Sequence, residues 1–114
     1  MLNRKTRKYL ALQAFVDHGK EWNVLRLIKL SQDIPAQRIS LYALIERGRY
    51  MRLINSLRNG EYENVLAVDL RHPIILNARG KIMDGHHRLA KAYLFGKRYI
   101  LARKFDKTPE PNWC

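Results

Sequence analysis

The sequence predicts one small domain of the α/β (α+β) class, a mixed sheet with flanking helices. Three observations carry that reading. The chain has 114 residues, 46% of them apolar and 28% charged, which suits one core and is too apolar for a disordered chain. The second half has the rhythm of strand, turn, strand, helix and strand: short apolar runs, turn residues and one helical period. The first half reads as capped amphipathic segments around one apolar run. No internal repeat, low-complexity stretch or linker interrupts residues 1–114, so they are read as a single domain.

The elements follow in chain order. Asn3 is placed to cap a helix through Tyr9, Leu10, Phe15 and Val16, with Gly19 as its stop. Residues 1–20 are thus a basic N-terminal helix or arm. Trp22 to Leu30 reads as a strand, because Val24, Leu25, Leu27, Ile28 and Leu30 are apolar. Ser40 is an N-cap for a helix from Leu41 to Glu46, which Gly48 ends. Arg49 to Arg58 repeats the pattern, with Met51, Leu53, Ile54 and Leu57 on one face and Asn59-Gly60 as the close. Pro73 to Leu76 is a short buried strand, Asn77 to Gly80 a hairpin turn and Lys81 to Met83 the return strand. A helix from His86 to Phe95 follows, with Gly96 just past its end. In the last strand, Tyr99 to Phe105, residues Tyr99, Leu101, Arg103 and Phe105 share one face, and Ile100, Ala102 and Lys104 the other. Residues 106–114 read as a coil with Pro109 and Pro111, anchored by Trp113.

Charge narrows the partner. Twenty-two Lys and Arg against ten Asp and Glu leave a net +12, which favours an anionic partner, nucleic acid first and DNA in particular. Two clusters could meet a phosphate backbone: Arg4, Lys5, Arg7 and Lys8 near the start, and Arg47, Arg49, Arg52 and Arg58 along the second helical segment. The plainer reading of each is a solvated helix face. No apolar run approaches the ~18 residues of a membrane span, and the basic N-terminus lacks the apolar stretch of a signal peptide, so no membrane association and a cytoplasmic location are expected. A lone Cys114 excludes a disulfide framework or a cysteine-rich zinc site and argues against thiol catalysis.

The stretch that carries chemistry is Met83-Asp84-Gly85-His86-His87-Arg88-Leu89-Ala90, where a strand ends and a helix begins. The unpaired N–H groups of a first helical turn and the helix dipole attract anions. Gly85 leaves room for a close backbone approach, and Arg88 and the two histidines can add directed hydrogen bonds to phosphate oxygens. Asp84 suits an N-cap and is the catalytic candidate if the site is an active one. Adjacent histidines on a helix point about 100° apart, which disfavours a shared metal ion, and none is assigned. Other residues fit plainer roles. His18 and His72 read as lone structural histidines. Tyr42, Tyr50, Tyr62, Tyr93 and Tyr99 could stack bases if exposed, although Tyr93 lies at helical spacing from Leu89 and reads as core. Glu46, Glu61 and Glu63 are general-base candidates by type alone.

These same residues resemble the ParB/sulfiredoxin superfamily. The resemblance rests on His72-Pro-Ile-Ile-Leu, a turn, Lys81-Ile-Met-Asp-Gly-His-His-Arg-Leu-Ala-Lys-Ala, then Phe95-Gly-Lys and the strand Tyr99 to Phe105. It covers residues 69–105, and residues 24–60 are compatible with the superfamily's variable N-terminal half, giving a core of 24–105. In that superfamily a Gly-x-His-Arg element at a helix start binds nucleotide phosphates. The resemblance therefore implies that role for Gly85, His87 and Arg88, with His86 in the variable position. It further implies a nucleoside triphosphate or diphosphate (CTP, ATP or ADP) with Mg²⁺ as the ligand.

Departures from the family narrow the activity. His86 stands where sulfiredoxins carry their catalytic cysteine, so sulfinic-acid reduction is not expected. The partitioning proteins' helix-turn-helix reader and their Glu-Asn-x-x-Arg element do not follow the last strand. Free-serine kinases carry a similar Asp-Gly-His-His-Arg stretch, but their catalytic acidic residue has no evident counterpart here. Three readings result. The first is a ParB-like, DNA-associated protein recognising nucleotide or nucleic-acid phosphate through Gly85–Arg88. The second is a small enzyme, a nuclease or an ATP- or ADP-dependent phosphotransferase using Asp84. The third is a non-enzymatic viral or plasmid accessory or inhibitor protein.

Overall fold

The computed structural model describes residues 14–45 and 62–114, and within them the chain is a mixed α/β fold. The expected helix from Asn3 to Gly19 and the helix from Arg49 to Arg58 fall wholly or largely outside those residues, as do Arg4, Lys5, Arg7, Lys8, Arg47, Arg49, Arg52 and Arg58.

Two expectations in the N-terminal half are corrected. Phe15 and Val16 lie in a strand, β1 (Ala14–Asp17), which pairs antiparallel with β2 (Lys20–Asn23). His18 at φ 49° and Gly19 at φ 76° make the turn between them, so Gly19 closes a hairpin rather than a helix. The apolar run after Trp22 is a helix, α1 (Val24–Ser31), not a strand. Its start is set by Asn23, whose side-chain oxygen accepts the Arg26 N–H at 3.1 Å. Val24, Leu27 and Ser31 recur at helical spacing and are the buried positions, while Leu25, Ile28 and Leu30 remain exposed. Local hydrophobicity was high enough to mask that period.

Strand β3 (Gln37–Ser40) leads into the short helix α2 (Leu41–Leu44), where Ser40 is the N-cap as expected. The short helix α3 (Tyr62–Ala67) was not anticipated. Beyond it the sequence reading matches the structure closely: β4 (Ile74–Leu76), β5 (Ile82–Asp84), helix α4 (His86–Leu94) and β6 (Tyr99–Lys104). Helix α4 ends in a glycine-dependent motif. Gly96 at φ 66° donates to Tyr93 O and Lys97 donates to Ala92 O, closing the last carbonyls.

The main sheet has the order β3-β6-β4-β5, with β6 and β4 parallel and the outer pairs antiparallel. All three residues of β4 are buried, because both faces of the sheet are covered. Ile74, Leu76, Ile82, Ile100 and Ala102 pack on one side with Leu89 and Ala92 of α4 and Leu41 and Leu44 of α2. Ile75, Met83 and Phe105 pack on the other with Phe15 and Trp22 of the hairpin and Leu27 of α1. The result is three layers in which the N-terminal hairpin and α1 form an outer leaf. Helix α3 rests on α4 through Val65 and Ala90, and the Lys91 ammonium donates to Leu66 O (2.9 Å) and Val68 O (2.7 Å) at its end.

The C-terminal coil is tied to the outer leaf as a lace. Glu21 N–H donates to Trp113 O (2.8 Å), Asn112 N–H to Glu21 O (2.7 Å) and the Trp22 indole N–H to Pro109 O (2.7 Å). Arg26 adds bonds to Glu110 O and to Asn112 Oδ1. The expected anchoring of the tail near Trp113 is thus main-chain pairing along β2.

Candidate functional site

The Asp84–Arg88 stretch lies where β5 feeds α4, as its sequence predicts. Gly85 is the N-cap, at φ 110° and ψ 24°, and it makes no side-chain cap bond. Asp84 is the last residue of β5 and not the N-cap expected of it. Its carboxylate instead faces one turn into α4, where Arg88 Nη1 approaches Oδ2 at 3.4 Å. Pairing in the β4–β5 ladder shifts register between Ile75 and Leu76, placing Asp84 opposite Ile75.

Gly85 is required for a reason other than ligand access. A Cβ built there would lie 2.8 Å from the Ile74 Cβ and would also strike the Ile74 Cγ2. The space freed by the glycine is filled by the neighbouring strand, and its φ is one that side chains rarely adopt. The tight turn positions the first turn of α4 against β4. There the Leu89 N–H bonds back to Gly85 O at 3.0 Å.

Two clefts meet at Asp84 and Arg88. One, of about 280 Å³, is lined by residues 84–88 together with Met83, Val68 and, from the outer leaf, Ala14, Phe15 and Val24. The other, of about 230 Å³, lies between the end of α1 and the sheet and is lined by Ser31, Gln32, His72, Pro73, Asp84, Arg88 and Arg103 among others. Both are open to solvent, so a phosphate can sit in either while the rest of a larger ligand lies along the mouth.

Electrostatics in the clefts are set by two partly used guanidinium groups. Arg88 spends Nη1 on Asp84 and on Pro73 O (3.4 Å), while its buried Nε–H has no acceptor. Arg103 spends Nη1 on Ser31 O (3.1 Å) and Gln32 O (2.8 Å), capping the C-terminus of α1, and its Nε–H is likewise buried without an acceptor. A buried donor left unpaired costs about 1–3 kcal/mol, more on a charged group. The sheet brings these residues into one row, Asp84 beside Ile75 beside Arg103. Sequence reasoning missed Arg103 as a cleft residue. The available signal was a charged residue at an inward position of β6, between Leu101 and Phe105.

The other candidates are dispersed. His86 and His87 are half-buried and line the first cleft. His72 lines the second, 4.0 Å from Asp69, and His18 stands 3.7 Å from Asp17, so neither histidine is alone as expected. The Arg71 guanidinium, bonded to Asp69 through both oxygens, holds that carboxyl far below its usual range. Tyr93 is exposed rather than core. Glu63 is exposed on α3 away from both clefts, while Glu46, Glu61 and Tyr50 lie outside the described residues. Among the described residues no group of three or more His, Cys, Asp or Glu is arranged to hold a metal, and no helix is long and apolar enough to cross a membrane. Compared with protein-family models, curated proteins and solved structures, the chain matches none.

Proposed function

We propose that the Gly85–Arg88 turn is a phosphate-binding site of ParB/sulfiredoxin type, and that the protein is a nucleic-acid-associated one recognising nucleotide or nucleic-acid phosphate there. The observation that carries the reading is Arg88. It sits in the first turn of α4 with an unused Nε–H, between two clefts, beside a helix start that no side chain caps. First-turn N–H groups and a guanidinium edge together form a recurrent cradle for phosphate oxygens. The net charge of +12 supplies the long-range attraction for an anionic ligand or polymer. The apolar wall of Phe15, Val24 and Val68 can cover a sugar or a base edge next to it.

A thermal-shift titration with CTP, ATP, ADP and GTP, with and without Mg²⁺, tests the site in wild type and Arg88→Ala. A ligand at 100 times its Kd adds about 2.7 kcal/mol, readily seen in a domain of this size. The expected result is a shift for at least one nucleotide that Arg88→Ala removes. No shift with any nucleotide, or one indifferent to Arg88, rejects the nucleotide reading. Asp84 lines both clefts, which favours a second reading as a metal-assisted phosphotransferase or nuclease. There Mg²⁺ would be held by one carboxylate and the phosphate oxygens. In the same titration Asp84→Asn should then lose the Mg²⁺-dependent part of the shift and keep the rest.

A further inference from the structure

We propose that the surface at the C-terminal end of α4 binds single-stranded nucleic acid, stacking bases on tyrosine rings and pairing phosphates with arginine and lysine. This surface lies at the opposite end of α4 from Gly85, about 13 Å along the axis at 1.5 Å per residue, and the inference stands without the phosphate reading above.

Three tyrosines present rings to solvent there: Tyr42 from α2 at 69% exposure, Tyr99 from β6 at 50% and Tyr93 from α4 at 47%. They line one shallow groove of about 470 Å³ with Lys97 and Arg98. Arg38 of β3 continues it, its guanidinium stacked over the Tyr99 ring at 4.8 Å. Three cations thus share this surface with three rings, and no carboxylate lines it among the described residues. That charge complements a polyanion, and flat half-exposed rings supply what a bare phosphate chain does not need. Each component is held in place. Ser40 and Tyr99 face each other across the β3–β6 ladder, and the Leu41 N–H bonds to Arg98 O at 2.9 Å, fixing α2 against the loop that carries Lys97 and Arg98. Near the end of α4 the Tyr93 and Ala92 carbonyls, which would repel phosphates, already accept the Gly96 and Lys97 N–H groups.

Fluorescence anisotropy with a labelled oligothymidylate and the matching oligouridylate tests this, with inorganic polyphosphate and polyglutamate as competitors that carry charge without bases. Binding of one or both oligonucleotides is expected, with the two arms separating DNA from RNA. Tyr42→Ala and Tyr99→Ala should each weaken binding about tenfold, and Tyr99→Phe should retain it. Arg38→Ala and Lys97→Ala should each lower the slope of log affinity against log salt by about one. Melting temperatures are measured alongside, and binding is compared at a temperature where every variant is folded. The proposal is overturned if neither oligonucleotide binds, if the tyrosine variants bind as wild type, or if either base-free polymer competes as well as an oligonucleotide. Loss of binding in Arg88→Ala with the tyrosine variants intact would place the polymer at Gly85. That outcome rejects this surface and leaves the phosphate reading standing.

Discussion

Gly85 shows how one residue can serve packing and ligand geometry together. Its left-handed backbone turns β5 into α4, and its missing Cβ leaves room that Ile74 occupies. A substitution there meets both a strained φ and a buried side chain, so Gly85→Ala should destabilise the fold by about 1–3 kcal/mol or more. Trimming the obstacle tests the cause. Ile74→Ala alone should cost about 2–5 kcal/mol as a core truncation, but the double variant should lose less than the sum of the two. Strict additivity in chemical denaturation would show that the cost comes from the backbone φ and from the Ile74 Cβ, which alanine retains, rather than from the Ile74 Cγ2. The need for glycine was legible in the sequence, but its reason was not. The partner Ile74 lies eleven residues upstream on another strand, and only the register of β4 against β5 brings it there.

At the scale of elements, Lys81, just before β5, makes two contacts with the outer leaf. Its ammonium donates to Asp17 Oδ1 at 2.6 Å and stands 5.9 Å from the Phe15 ring centre. The hydrogen bond with Lys81 holds the Asp17 carboxyl below its ordinary 3.8. A depressed carboxyl pKa stabilises the fold above the unfolded value, and that contribution disappears as pH falls through the folded one. Lys81 is about half exposed, so solvent screening keeps the effect below about 1 kcal/mol. Lys81→Met should therefore lower the melting temperature slightly at pH 7, with the difference fading below pH ~4. A difference that does not shrink at all as the pH is lowered through the acid range would assign the effect to packing on Phe15 instead. The elements around this leaf were the least legible in the sequence. Residues 72–105 announce themselves through local signals: turn residues, a glycine past α4, alternation in β6. Residues 24–31 carry a run of apolar side chains that fits a strand or a helix equally well, and the deciding contact is one cap bond from Asn23. Neither cleft could be read from sequence, because each is walled by α1 or the hairpin on one side and by the Asp84–Arg88 turn on the other.

For the whole molecule, the excess of positive charge sets a quantitative expectation. If binding to nucleic acid neutralises about six phosphates, affinity should fall by about 10³ between 50 and 200 mM salt. A nearly flat dependence in a filter-binding or anisotropy series would remove the polymer reading and leave a small anionic ligand as the partner. The fold places its two candidate surfaces at opposite ends of α4, so a ligand extended along that helix could engage both, and a mononucleotide only one.

The laced outer leaf also bears on how the chain is made. Trp22 and Pro109, joined by the indole N–H, are 87 residues apart in sequence, and the contacts of Glu21 and Asn23 with residues 112 and 113 span a similar distance. Contacts of such separation form late. While the chain grows from its N-terminus, the hairpin and α1 must wait through synthesis of the entire sheet before residues 109–113 exist to fasten them. Until residues 75–105 are made, the apolar underside of this leaf, Phe15, Trp22 and Leu27, lacks its strand partners, and until residues 109–113 it lacks its lace. The nascent protein is then most exposed to capture by chaperones, or to pairing with a neighbour through the free edge of β2.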